Sequence, residues 1–424
     1  MIAMVVVLIV LLLVGMPVGF TLLLGSVAYF MSSGTSLNIV LQKLTMTVGD
    51  SFSMQAVPFF MFAGAVMNHS GITRKIFTFA EVLVGHVTGG LAHANILASV
   101  IFSGMSGSAI ADTGGLGKIE LQAMKEAGYD EDYSLAVTGA SSCIGPVIPP
   151  SVPFVMYGVS AGVSIGALFM AGFIPGIVMA LALGIVAHTQ ARNRKYPKRR
   201  RATFREIWHA FRDSIWALMA PVILIGGIVL GIFTPTEAAV VCSVYSLLLS
   251  FLMREIKLCD LPDLINETVK TTAMVMFIAS ASCVFGWILT KEMIPIKFAQ
   301  WMSAIITNKV GAILLMNLLF LVVGMFMDGT ASLIILTPIV VPLMASYGMN
   351  LVQFGVVMTV NIMIGLLTPP VGMVLYVLSG ISNVSVERIS KAVVPYVIAL
   401  IIVVLILSFV PQVSLLLPTL LGYC

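Results

Sequence analysis

The chain has 424 residues, 59% of them hydrophobic and 9% charged, with 22 Lys and Arg against 18 Asp and Glu for a net charge of +4. A soluble domain carries roughly 25% charged residues, so this composition excludes water as the main solvent. Backbone in lipid has to be helical or buried in protein, which leaves an all-α polytopic membrane protein as the fold class.

Residues 1 to 31 are apolar for too long, and lack the basic leader, to be a cleaved signal peptide. They read as the first span. A hydrocarbon core of about 30 Å, at 1.5 Å per residue, requires about 20 apolar residues. Comparable stretches follow at 52–68, 133–160, 163–191, 214–234, 237–253, 269–290, 351–380 and 392–421, and predict nine to eleven spans. Residues 36–50 and 254–268 mix apolar and charged positions at helical spacing, as helices lying in the interface do. Nine of the 22 Lys and Arg fall between Arg192 and Arg212, around the run RNRKYPKRRR. That loop is expected in the cytoplasm by the positive-inside rule; a nucleic-acid or anionic-lipid patch is the weaker alternative.

Two apolar regions are interrupted: 92–117 at a Gly/Ser cluster, and 309–345 at GMFMDGTAS. Each reads as a re-entrant hairpin, because irregular backbone at membrane depth is tolerated only inside protein or along a polar cavity. Gly104-Met105 at the first break recurs as Gly324-Met325 at the second, an offset of 220 residues. The elbow Gly145-Pro146-Val147-Ile148-Pro149-Pro150 recurs as Gly365-Leu366-Leu367-Thr368-Pro369-Pro370 at the same offset of 220. Two unlike features sharing one offset predict two structural repeats, 1–191 and 214–424, joined by a basic linker at 192–213. The charged run from Lys118 to Asp132 puts the mouth of the first hairpin inside, and the intervening spans put that of the second outside. The repeats are therefore expected to be inverted.

A proline pair within a span removes amide donors and leaves carbonyls one turn back without partners. At Gly145 to Pro149 and Gly365 to Pro369 such oxygens suit a hard cation, sodium among others. The hairpin tips add Ser103, Ser106 and Ser108 in the first and Asp328 and Thr330 in the second, amid glycines that let backbone approach an ion. Helix N-termini nearby favour an anion between the tips. Asp328, costly at mid-membrane when unpaired, is expected to bind ion or solute, with capping of a broken helix end as the alternative. For Asp112 capping and function stand level. Glu237, in TPTEAA, reads as a helix N-terminal residue rather than a proton relay.

The cysteines Cys143, Cys242, Cys259, Cys283 and Cys424 are scattered without metal-ligand spacing, and the five histidines show no i, i+4 pairing. No phosphate loop, nucleotide fingerprint or Ser/His/Asp arrangement is present, so neither ATP-driven transport nor an intramembrane enzyme is expected, and no cofactor is called for.

With these motifs in view the sequence resembles the large membrane subunit of tripartite ATP-independent periplasmic (TRAP) transporters. The resemblance is carried by MPVGF at 16–20, VPFFMFAG at 57–64, SGMSGSAIADTGGLG at 103–117, GPVIPPSVPFVMYG at 145–158, GMFMDGTASLIILTPI at 324–339 and GLLTPPVGMVLY at 365–376. It implies an elevator-type transporter of the bacterial inner membrane, driven by a sodium gradient, with at least two coupling ions. One sodium is then expected at Ser103 and Ser106 with carbonyls of Gly145, Ile148 and Pro149; a second at Gly324, Gly365, Thr368 and Met373. The solute, a dicarboxylate, keto acid or acidic sugar such as sialic acid, is expected between Ser108, Asp328 and Thr330. The implied partners are a small four-helix membrane subunit, absent from this chain, and a periplasmic binding protein, with no nucleic acid. The nearest rival is a stand-alone sodium-coupled anion transporter that needs no binding protein.

Overall fold

A computed structural model describes residues 2–423 apart from 50, 197, 199 and 307; the side chains at 13, 46–49, 104–106, 299 and 303–305 also lie outside the description, as does Cys424. Every regular element among the described residues is helical. In chain order they are α1 (Ile2–Leu13), α2 (Val18–Ser33), α3 (Asn38–Gly49), α4 (Ala56–His69), α5 (Ile72–Val84), α6 (Gly90–Ser106), α7 (Ala109–Gly114), α8 (Leu116–Glu126), α9 (Glu131–Ser142), α10 (Val152–Ala161) and α11 (Ile165–Asn193). The second half holds α12 (Phe204–Val229), α13 (Pro235–Leu252), α14 (Leu261–Lys291), α15 (Ile294–Ile305), α16 (Lys309–Phe326), α17 (Gly329–Ser346), α18 (Leu351–Leu366), α19 (Met373–Ser382), α20 (Val386–Phe409) and α21 (Pro411–Leu420).

Seven of these, α11 to α14, α16, α17 and α20, are long and apolar enough to cross a membrane by length and composition. Three expected spans are pairs of shorter helices meeting at a break, two of them at the proline elbows, where a broken helix is expected. Residues 133–160 become α9 and α10 on either side of the first elbow, and 351–380 become α18 and α19 on either side of the second. Residues 392–421 divide at Pro411, where the ring ends α20.

Two expectations are corrected. Residues 1–31 are not one span but α1 and α2 folded back on each other, with Gly25 against the Leu8 side chain. The turn is made by Gly15, at φ +81, and by Pro17 at the N-cap of α2. Residues 254–268 are not a separate interfacial helix. After a short 3-10 turn at Leu258–Asp260, the helix started by Pro262 runs unbroken through Lys291, since nothing between Leu264 and Thr272 interrupts its hydrogen bonds.

The packing of the two halves is reciprocal. Within each half the first hairpin arm lies on the elbow helix, α6 on α9 and α16 on α18. Between halves, α9 packs on α20 and α18 on α11, while α7 packs on α19 and α17 on α10. Buried amides tie each arm to its elbow helix. Ser141 Oγ donates to Asn95 Oδ1 at 2.7 Å, with Asn95 Nδ2 donating to Thr138 Oγ1 at 2.8 Å. In the second half Asn361 Nδ2 donates to Asn317 Oδ1 at 3.0 Å and to Asn317 O at 2.9 Å. In hydrocarbon such a group left unpaired is costly, so each bond fixes its pair of helices. At the centre, Cys143 Sγ lies 3.4 Å from Met363 O, a contact between residues 220 apart.

Candidate functional site

The two hairpin tips are closed by different caps. In the first, α6 ends at Gly107, whose φ of +58 only glycine adopts cheaply. Ser108 then caps α7, its hydroxyl accepting from Ala111 N at 3.4 Å. In the second, α16 ends at Met327 and Asp328 caps α17, with Oδ1 accepting from Thr330 N at 2.9 Å and Ala331 N at 3.2 Å. Asp328 is thus the helix cap that the alternative reading described. Both bonds end on Oδ1.

Each tip rests on the elbow of its own half. A methyl group added at Gly107 would come 2.8 Å from Pro150 O, and one added at Gly324 would come 3.0 Å from Gly365 Cα. Gly372 N donates to Met325 O at 2.9 Å, stitching the second elbow to the second tip. The structure thus places Gly324 against Gly365, and Gly107 of the first tip against Pro150. Both elbows carry a cis Pro-Pro bond, at Pro149-Pro150 and Pro369-Pro370.

The expected ion ligands are placed as follows. Ser103 is fully buried and its hydroxyl donates to Val100 O at 2.6 Å within α6; the Ser106 side chain lies outside the described residues. Among the described residues no turn or cap hydrogen bond ends on the carbonyls of Gly145, Ile148 or Pro149, whereas Pro146 O accepts from Ser151 Oγ. In the second elbow Gly365 O accepts from Thr368 N at 2.9 Å, and the Thr368 hydroxyl donates to Ile364 O at 2.7 Å. Met373 stands apart from this set, on the wall of the cavity described next.

A cavity of about 460 Å³ opens between the tips. Ser108, Asp328, Thr330 and Met373 line it from the hairpins and second elbow, and Asn68 of α4 and Thr271 of α14 line it as well. All three residues expected to hold the solute thus meet at one space. Asn68 and Thr271 were missed by sequence reasoning: they stand in the short polar runs Asn68-His69-Ser70 and Lys270-Thr271-Thr272, which read as the edges of spans.

Asp112 is 2% exposed, and neither carboxylate oxygen has a hydrogen bond among the described residues, with the Ser99 hydroxyl the polar group beside it. Its capping alternative is set aside, because Ser108 caps that helix. A methyl group added at Gly145 would lie 3.8 Å from Asp112 Oδ2 and 3.8 Å from Ser108 O, so an orphaned carboxylate flanks the first tip and elbow. Glu120, 1% exposed and close enough to feel the charge of Asp112, is a second buried acid that its place in a charged stretch concealed. Glu237 forms a capping box with Thr234, accepting from Thr234 N at 2.8 Å, as its reading as an N-terminal residue requires.

Broken helices that converge in pairs on an internal cavity, within a bundle of lipid-length helices, define a membrane permease. Residues 5–413 match the family described as tripartite ATP-independent periplasmic transporter, DctM component. The sialic acid TRAP transporter large permease protein SiaM of Vibrio cholerae is 43% identical over 416 residues, covering 97% of each chain. The sialic acid TRAP transporter permease protein SiaT of Haemophilus influenzae is 40% identical over 410 residues, which are 96% of this chain and 66% of that one. Among solved structures, the YdaH transporter of Alcanivorax borkumensis shares the fold at a TM-score of 0.64 with 14% identity, over 87% of this chain and 86% of that one. The chain belongs to the TRAP transporter family, as its large permease component.

Proposed function

We propose that this permease imports a small organic anion, a carboxylate or an acidic sugar such as sialic acid, coupled to sodium and delivered by a periplasmic binding protein. The observation that carries the reading is the meeting of Ser108, Asp328 and Thr330, from two hairpins distant in sequence, on one cavity. Hydroxyls of Ser108 and Thr330 are suited to donate to a carboxylate, and the Asp328 carboxylate to accept from a solute hydroxyl. The names of SiaM and SiaT support sialic acid within this class.

Sodium fits the donor set. Among the described residues the carbonyls of Gly145, Ile148 and Pro149 accept no turn or cap hydrogen bond, and the buried Asp112, with Gly145 near its Oδ2, would supply the negative charge a dehydrated cation needs. Gly324 and Thr368 offer the corresponding oxygens of the second half. With tip and elbow in contact in each half, an ion bound there stiffens both tips, and the solute space between them is shaped only when both are loaded.

The reciprocal packing supports two inverted repeats, 1–191 and 214–424, about an axis near Cys143 and Met363. The hairpins and elbows form the moving body of an elevator, and α4 and α14, which also line the cavity, belong to the fixed wall. A separate small membrane subunit widens that wall, in the bacterial inner membrane.

Reconstitution tests the whole. The chain, its small membrane subunit and its binding protein, in proteoliposomes, are expected to take up sialic acid under an inward sodium gradient and to stop when potassium replaces sodium. Uptake by the chain alone, without binding protein, overturns the tripartite reading; uptake indifferent to sodium overturns the ion assignment.

A further inference from the structure

A second concavity, of about 640 Å³, lies between α6 and α11, and among the described residues no tip or elbow residue lines it. Its outer edge is an apolar stripe on α11: Ile177, Leu181 and Ile185, at helical spacing, are 42%, 64% and 70% exposed. The stripe from 177 to 185 rises about 12 Å, close to the depth of one leaflet of a roughly 30 Å core. In a span, hydrocarbon covers such a surface.

One end of this groove is polar. His93 and His188 line it with ring centroids 5.7 Å apart, and His93 Nε2 is buried without a hydrogen bond among the described residues. Arg192 follows one turn beyond His188 on the same face of α11, exposed, and the basic run starts there. Gly89, in the turn between α5 and α6, touches Ala191, so the polar end of the groove is the end at the membrane surface nearest that run.

We propose that the groove is a binding site for an anionic phospholipid, one acyl chain lying along Ile177 to Ile185 and the phosphate between His188 and Arg192. The commitment to lipid rests on length and charge together. A partner helix needs a groove that continues across the membrane, whereas this one stops one leaflet deep at cationic and hydrogen-bonding side chains. Basic pockets between spans at the cytoplasmic side recognise anionic headgroups in this manner.

Native mass spectrometry of the full chain in detergent, titrated with dioleoyl phosphatidylglycerol, dioleoyl phosphatidylcholine or inorganic phosphate, tests the site. A single phosphatidylglycerol adduct is expected at concentrations where phosphatidylcholine is not retained. Arg192→Ala, at an exposed position that does not threaten folding, is expected to weaken it about fivefold, the effect of one basic residue near a surface. Gly184→Leu fills the groove: the first added carbon would meet only the His93 ring, at 3.7 Å and 3.9 Å, so the backbone need not move and the adduct is expected to be lost. Equal retention of the two lipids, or an unchanged phosphatidylglycerol adduct in both variants, overturns the proposal. So does displacement of the lipid by inorganic phosphate, which would mark a free-anion site, or crosslinking of an Ile185→Cys variant to the small membrane subunit by a thiol- and amine-reactive reagent, which would mark a protein interface.

Discussion

Gly365→Ala probes the contact on which the proposed ion sites depend. A methyl group at Gly365 would lie 2.6 Å from Gly324 Cα, 2.6 Å from Gly324 C and 2.9 Å from Leu321 O. Carbon atoms in contact rest at about 3.5–4.0 Å, and all three neighbours are backbone, so no rotamer change relieves the overlap. The second tip and elbow must part by about 1 Å, at a strain cost of about 1–3 kcal/mol. That is less than the roughly 5–15 kcal/mol by which a folded protein is stable, so the variant should assemble. A binding constellation tolerates about 0.5 Å of misplacement, so sodium affinity should suffer far more than folding does. In proteoliposomes with the partner subunits, uptake should fall at least about tenfold, part of the roughly 100-fold that a 1 Å error can cost, and the half-saturating sodium concentration should rise. Gly226→Ala, in α12 where nothing lies within 4 Å of the added methyl, is the control and should transport normally. Wild-type uptake with unaltered sodium dependence in Gly365→Ala would show that the close tip-to-elbow approach has no part in ion binding.

Asp328 separates its two jobs by substitution. Asp328→Ala loses the cap, at about 0.5–2 kcal/mol, and uptake with it; Asp328→Asn keeps an acceptor for the amides of Thr330 and Ala331 and should recover the melting temperature but not transport, whereas full uptake by the Asn variant would reduce Asp328 to a cap. Asn361→Ala strips the buried bond to Asn317 and should lower stability by about 1–2 kcal/mol in thermal melts, with no change in melting arguing that the amide pair carries nothing. At the membrane surface, the Tyr196 hydroxyl, donating at 2.7 Å, and then the Arg194 guanidinium, at 2.6 Å, hold the Asp130 carboxyl below its ordinary range. A carboxylate shifted down stabilises the fold above its unfolded value, near 3.9, and loses that contribution as pH falls toward its folded value. Wild type should therefore lose more melting temperature than Asp130→Asn between pH 5 and pH 3, and equal losses would remove the cluster from the acid response.

The interruptions were legible because their chemistry is local: Gly107 needs a positive φ, and a Pro-Pro pair cannot continue a helix wherever it is placed. The same signal at Gly15 and Pro17 was read through, since the flanking residues are so apolar that length outweighed the break. Residues 254–268 misled for the opposite reason, their charges reading as an interface although the helix continues past them. That tips rest on elbows followed from nothing local, because Gly324 and Gly365 are 41 residues apart and only packing brings them together. The buried pairs of Asn95 with Ser141 and of Asn317 with Asn361 were equally hidden, each residue alone being an ordinary polar interruption of a span. Asn68 and Thr271 line the cavity from short polar runs that read as the edges of spans.

Cys143 touching Met363 has a consequence for how the protein is made. Ribosomes deliver the first half long before α17, α18, α19 and α20 exist, yet those are the helices on which α10, α11, α7 and α9 close. Until the later helices leave the translocon, the early ones sit in the bilayer with their inner faces uncovered. Maturation must then be a late clasping of two half-built bundles, and the time between their insertions is the period in which the nascent chain is exposed to membrane proteases.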